Sequence, residues 1–250
     1  MKHLSKKKII EALKDQQSIF GDFLFEEKLN KSKIIYEETP EIVEVVREPI
    51  EETPNLFQSE DDWHNANTLE ELNNLIIDCT KCVLHKNRTN FVFGSGKPDA
   101  KVMVIGEGPG AEEDKQGLPF VGRAGQLLTD ILKAIKFERE EVYIANIVKC
   151  RPPENRTPLP EEMDTCIPYL KKQISIINPK MILCLGLTAA KGLLRKKESL
   201  TALRGKFFDY EGIKVMVTFH PAALLRNPNW KKDCWEDVKK FRKMYDEIEM

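Results

Sequence analysis

Four apolar runs, KVMVIGE (101–107), EVYIANIV (141–148), KMILCLG (180–186) and IKVMVTFH (213–220), alternate with stretches of helical periodicity near 123–136, 160–177, 187–196 and 231–248. Runs this short and this apolar suit strands buried on both sides, and strand–helix alternation returns each strand parallel to the last. The predicted fold class is therefore α/β, a short, mostly parallel sheet covered on both faces. In such open sheets ligands bind beyond the carboxyl ends of the strands. The first, second and fourth runs end in GEGPGAEED, in the Asn146 region and in HPAALLRNP, so three strand ends are expected to converge on one pocket. No internal repeat is visible.

The rest of the chain divides by composition. Residues 1–36 contain a short amphipathic segment in which Ile9, Ile10, Leu13, Ile19 and Phe20 recur at roughly helical spacing. From Glu37 to Asp62 there are ten acids, one Arg and three prolines, too little apolar surface to offset chain entropy, so 37–66 reads as a disordered acidic linker. The folded domain is expected over 67–250, opening with TLEELNNLIIDC, where Thr68 and Glu71 make a capping box. Residues 1–66 carry 9 Lys and Arg against 15 Asp and Glu, which leaves the remainder with 30 against 25. That mild basic excess is compatible with a polyanionic partner without identifying one. No run of about 18 apolar residues occurs and the first residues break into charge early, so a soluble, cytoplasmic protein with no membrane association is expected.

Six cysteines in a reducing compartment are better metal ligands or buried thiols than disulfides. Cys79 and Cys82 form a Cys-x2-Cys pair, and Cys150 and Cys166 a second pair flanked by prolines. Four thiolates suit zinc or an iron–sulfur cubane equally, and ligand type does not separate the two. Cys184, inside an apolar run, reads as a core residue, and Cys234, between charges on the last helix, as an incidental thiol.

The run 101–107 breaks into a Gly-rich loop at Gly106, where the missing side chain permits close approach of a ligand. Neither G-x-x-x-x-G-K-[ST] nor G-x-G-x-x-G is present, and Glu107, Glu112, Glu113 and Asp114 would repel phosphate, which argues against a nucleotide site. Instead, GEGPGAEEDKQGLPFVGRAG, YIANIVKCRPP, HPAALLRNP and the spacing of the four cysteines together resemble the type 4 uracil-DNA glycosylases, over about residues 67–250.

The resemblance implies a three-layer α/β/α sandwich, a [4Fe–4S] cluster on Cys79, Cys82, Cys150 and Cys166, and hydrolysis of uracil from DNA to leave an abasic site. It implies that Phe120 stacks on the flipped base, that the Asn146 carboxamide donates to O4 and accepts from N3–H, and that the backbone of Gly106, Glu107 and Gly108 lines another edge. Glu113 stands where a wall would exclude the thymine methyl. His220 is the implied donor to uracil O2, and Glu107 the carboxylate nearest the sugar, as base or as electrostatic stabiliser. Leu224 or Leu225 is the implied wedge into the duplex. Arg123, Lys149, Arg151, Arg156 and Arg226 are candidate phosphate contacts.

Two features fall outside the resemblance. The pentad Gln16-Gln17-Ser18-Ile19-Phe20 is similar to the peptide by which bacterial repair proteins dock onto the sliding clamp. A monomer is otherwise expected. The competing readings are a DNA-binding scaffold without chemistry and an electron-transfer iron–sulfur protein; intact Glu107, Phe120, Asn146 and His220 argue against the first, and the second would want no base-sized pocket and would release no uracil.

Overall fold

The computed structural model describes residues 62–249, so the segment 1–36, the pentad Gln16–Phe20 and most of 37–66 lie outside the described residues. The packed domain begins before Asn67: Asp62–Asn65 form a 3-10 turn, and Trp63 and Ala66 are buried. Trp63 meets Tyr169 edge-on, with ring centroids 4.8 Å apart. The acidic composition around it concealed this anchor. Helix α1 (Leu69–Ile76) carries the expected capping box, Glu71 N donating to Thr68 Oγ1 and Thr68 N to Glu71 Oε2, at 3.1 and 3.2 Å.

The sheet contains β1 (Ser95–Gly96), β2 (Val102–Gly106), β3 (Tyr143–Asn146), β4 (Met181–Leu185), β5 (Phe207–Tyr210) and β6 (Ile213–Thr218) in the order β1-β3-β2-β4-β6-β5. The four central strands are the four apolar runs and are mutually parallel; β1 and β5, absent from the sequence reading, add antiparallel at the two edges. Register sets Gly106 beside Asn146, and Leu185 beside Thr218, so all four parallel strands end on one rim.

Seven further α-helices lie among the described residues: α2 (Ala111–Gln116), α3 (Arg123–Ala134), α4 (Pro160–Ile177), α5 (Gly186–Leu194), α6 (Leu200–Leu203), α7 (Pro221–Arg226) and α8 (Lys231–Glu249). Alternate strand residues face opposite cores, as pleating dictates. Met103, Ile105, Cys184 and Val217 pack with α1, α4 and α5 through Leu72, Ile174 and Ala189. Val102, Val104, Leu183 and Met216 pack with α3 and α8 through Leu128, Leu132 and Phe241. The result is a three-layer α/β/α sandwich. Each buried aliphatic side chain contributes about 1.5–3 kcal/mol, which favours the continuous apolar runs over an alternating pattern.

Helix α8 is also tied to β6. Asp237 accepts from Arg204 Nε at 3.0 Å and from Thr218 Oγ1 at 2.9 Å, and Cys234, far from incidental, is buried against Thr218. Among the described residues no helix is long and apolar enough to cross a membrane.

Candidate active site

The rim of the sheet opens onto a cleft of about 460 Å³ lined by Glu107, Gly108, Glu113, Phe120, Asn146, His220 and Arg226. Six of the seven residues expected to bind uracil thus meet in one place, and the seventh, Gly106, lies directly behind it. A Cβ on Gly106 would stand 2.5 Å from Asn146 Oδ1 and 2.6 Å from Phe120 Cζ, so only glycine lets both side chains occupy these positions.

Asn146 ends β3 and is buried, yet among the described residues its Oδ1 has no hydrogen-bond partner. A buried acceptor left unpaired costs about 1–3 kcal/mol, so such an atom in a cleft marks a ligand donor. Phe120 is buried at φ 53°, a left-handed conformation that is strained for an aromatic residue. The surroundings impose it: Glu113 Oε1 accepts from Val121 N and Gly122 N at 2.9 and 3.0 Å, and Arg139 Nη2 donates to Pro119 O at 2.8 Å. Helix α3 then presses against Phe120 O at Gly125, where a Cβ would lie 1.8 Å away. Glu113 therefore lines the cleft and also holds the loop that presents the ring.

His220 caps α7, with Ala222 N donating to its Nδ1 at 3.1 Å. A ring that accepts at Nδ1 carries its proton on Nε2, leaving that N–H for the cleft. Burial, with Arg226 adding to it against an opposing pull from Glu113, lowers the imidazole pKa to about 4. The ring is therefore neutral at physiological pH, and it lies 5.5 Å from the Phe120 ring. Glu107 follows β2, and its Oε2 accepts from Thr188 Oγ1 at 2.5 Å. Thr188 sits in the first turn of α5, beyond β4. The end of the third apolar run carries no motif in the sequence, yet β4 lies between β2 and β6 and ends beside both.

The cysteines with chelating spacing are also brought together. None of the six is in a disulfide; Cys79 and Cys82 are half-buried, Cys150 and Cys166 buried. The thiols feel one another: Cys82 and Cys79 act on Cys150, and Cys150 and Cys82 on Cys166. Burial pushes Cys82 and Cys150 up and Cys166 to about 12. Arg88 bridges the set, donating to Cys150 Sγ at 3.3 Å and to Cys79 O at 2.7 Å. Among the described residues no group of three or more His, Cys, Asp or Glu side chains closes around a single ion. Pro152, Asn155 and Arg156, from the chain between Cys150 and Cys166, form one wall of the cleft.

The profile of the uracil DNA glycosylase superfamily matches residues 93–239. A type-4 uracil-DNA glycosylase of Thermotoga maritima is 50% identical over 183 residues, which cover 70% of this chain and 95% of that protein. The chain belongs to the type-4 uracil-DNA glycosylase family. Proteins of the same description from Sulfurisphaera tokodaii and Pyrobaculum aerophilum are 47% and 46% identical, over 71% and 69% of this chain and 84% and 92% of their own.

Two expectations change for this type-4 glycosylase family member. Lys149 is no phosphate contact: it is fully buried, and its Nζ donates to Asn146 O at 3.1 Å and to Gln173 Oε1 at 2.6 Å. Burial lowers its pKa to about 8, against the pull of Cys166 and Cys150. Leu224 is 1% exposed within the second core, so of the two wedge candidates only Leu225, 36% exposed, is presented to solvent. Arg226 and Arg156 reach the cleft, the latter paired with the buried Glu162, while Arg123 and Arg151 lie outside the cleft lining. Asp114, grouped by sequence with the other loop acids, is buried and anchors Thr89 N at 2.9 Å.

Proposed function

We infer that this protein removes uracil from DNA by hydrolysing the N-glycosidic bond of a flipped nucleotide, the first step of base excision repair. The observation that carries the reading is the orphaned Asn146 Oδ1, buried at the cleft beside the Phe120 ring. Uracil N3–H answers that acceptor while O4 takes the carboxamide N–H; cytosine offers the reverse at both positions. Phe120 stacks on the base, and Glu113, on the cleft wall, stands against a thymine methyl. As the bond breaks, negative charge moves onto uracil and positive charge onto the sugar. The Nε2–H of neutral His220 donates to uracil O2, and Glu107 faces the sugar and the attacking water. Leu225 fills the gap left in the duplex, with Arg226 and its basic neighbours on phosphates.

Cys79, Cys82, Cys150 and Cys166 fit a [4Fe–4S] cluster by donor chemistry: four free thiols, none in a disulfide, with Cys150 under the influence of both Cys79 and Cys82. A bound cluster would supply a rigid tie for the Cys150–Cys166 loop at the cleft wall. Docking to a sliding clamp through Gln16–Phe20 rests on sequence alone. Its test is loss of clamp binding on deletion of residues 1–61, a cut that spares Trp63 and Ala66.

The deciding assay incubates the protein with a labelled single-uracil oligonucleotide, followed by alkali and a gel. Strand scission at uracil that Asn146→Ala abolishes is the expected result. No scission by protein with its full iron content overturns the reading and favours a DNA-binding scaffold.

A further inference from the structure

We propose that Thr188 is a positioning residue for Glu107, fixing one carboxylate oxygen so that the other meets the sugar and water; this rests on the glycosylase reading above. The two residues are 81 positions apart, and their contact is built by the turn from β4 into α5. That turn requires Gly186, which has φ +88°, and whose Cβ would lie 3.2 Å from His220 Cβ. The chain therefore reverses tightly against His220 and delivers the first turn of α5 to the end of β2.

At 2.5 Å the bond from Thr188 Oγ1 to Glu107 Oε2 is at the short end for a hydroxyl donating to a carboxylate oxygen. Among the described residues it is the single side-chain hydrogen bond that Glu107 makes, and it leaves Oε1 to the cleft that Glu107 lines. Branching at Cβ restricts the χ1 of threonine to few rotamers, so the hydroxyl samples few positions beside the carboxylate. A glutamate has three rotatable bonds; without this donor its carboxylate is free to swing away from the sugar. Thr188 acts through Glu107 and is not itself aimed at the base, whose readers are Asn146, Phe120 and His220. Its removal should therefore slow bond cleavage and leave uracil recognition intact.

The test compares single-turnover uracil release by the wild type, Thr188→Val, Thr188→Ser, Glu107→Ala and the Glu107→Ala/Thr188→Val double variant, each checked by thermal melting. Loss of a hydrogen bond to a charged group predicts that Thr188→Val slows the cleavage step about tenfold or more with KM little changed. Thr188→Ser, which keeps the hydroxyl, should recover most of that loss. In the Glu107→Ala background Thr188→Val should have almost no further effect, because its partner is gone. An equal loss with and without Glu107, or an active wild type unaffected by Thr188→Val, overturns the inference alone. A wild type that releases no uracil overturns the glycosylase reading and this inference with it.

Discussion

Gly106→Ala is the smallest change that tests how the pocket is assembled. The added methyl would stand 2.5 Å from Asn146 Oδ1 and 2.6 and 2.7 Å from Phe120 Cζ and Cε2. Carbon atoms rest about 3.5–4.0 Å apart, so the Phe120 ring must retreat by roughly 1 Å. Its backbone has nowhere to go, held by Glu113 through Val121 and Gly122 and backed by Gly125. The ring must therefore turn into the cleft, into the space where a base would stack. Overpacking of this kind costs about 1–3 kcal/mol of stability. A misplacement of about 1 Å at a site of reaction costs about a hundredfold in rate. Single-turnover uracil release and a urea melt on the same samples separate the two. A Gly106→Ala enzyme that melts slightly early and cleaves at the wild-type rate would refute the account of Gly106 as the residue that makes room for the base readers.

Further expectations concern other parts of the molecule. Leu224→Ala should lower stability by about 2–5 kcal/mol through the cavity it leaves, whereas Leu225→Ala should melt like wild type yet lose more activity on duplex than on single-stranded substrate; equal behaviour of the two would contradict the burial described. The His220 pKa is lowered from 6.5 to about 4, so an unfolded chain takes up the proton first as pH falls. The stability linked to it is complete above about pH 6.5 and is lost between there and about pH 4, by up to roughly 3 kcal/mol. His220→Gln should flatten that part of the stability curve, and an unchanged slope would exclude a buried neutral imidazole. Serine at any of Cys79, Cys82, Cys150 or Cys166 should deplete bound iron in elemental analysis, whereas Cys184→Ser should keep it; retention of full iron by two of the four would exclude the proposed ligand set.

The sequence carried those parts of the fold that depend on local pattern. The four central strands follow from runs of residues buried on both faces, and α1, α3, α4 and α8 from long periodic stretches and one capping box. The edge strands β1 and β5 were not legible, because a strand of two or four residues, half-exposed, draws its stability from a partner distant in sequence. Helices α2, α6 and α7 are each too short to show a period. Among site residues, Glu107, Phe120, Asn146 and His220 stood out through their motifs. Thr188 had no such signal, since one hydroxyl in GLTAA gains meaning only from Glu107 across the sheet. Lys149 is illegible for a related reason: charge usually implies exposure, and the carbonyl of Asn146 and the amide of Gln173, with the pull of Cys150 and Cys166, make its burial tolerable.

The two antiparallel edges bear on how the chain avoids sticking to itself. A parallel sheet forms late and would present open ladders of unpaired amides to neighbouring chains. Here one margin ends in Ser95–Gly96, a two-residue ladder that follows Gly94 at φ 149° and itself contains Gly96 at φ 129°, which gives an incoming strand no regular template. The other ends in Phe207–Tyr210, a four-residue strand whose Asp209 pairs with Lys214 of β6, setting charge on the margin where an apolar strand would have to add. Both borders thus act as stops, and the central strands can be as apolar as their double burial demands without exposing an edge on which a fibre could grow.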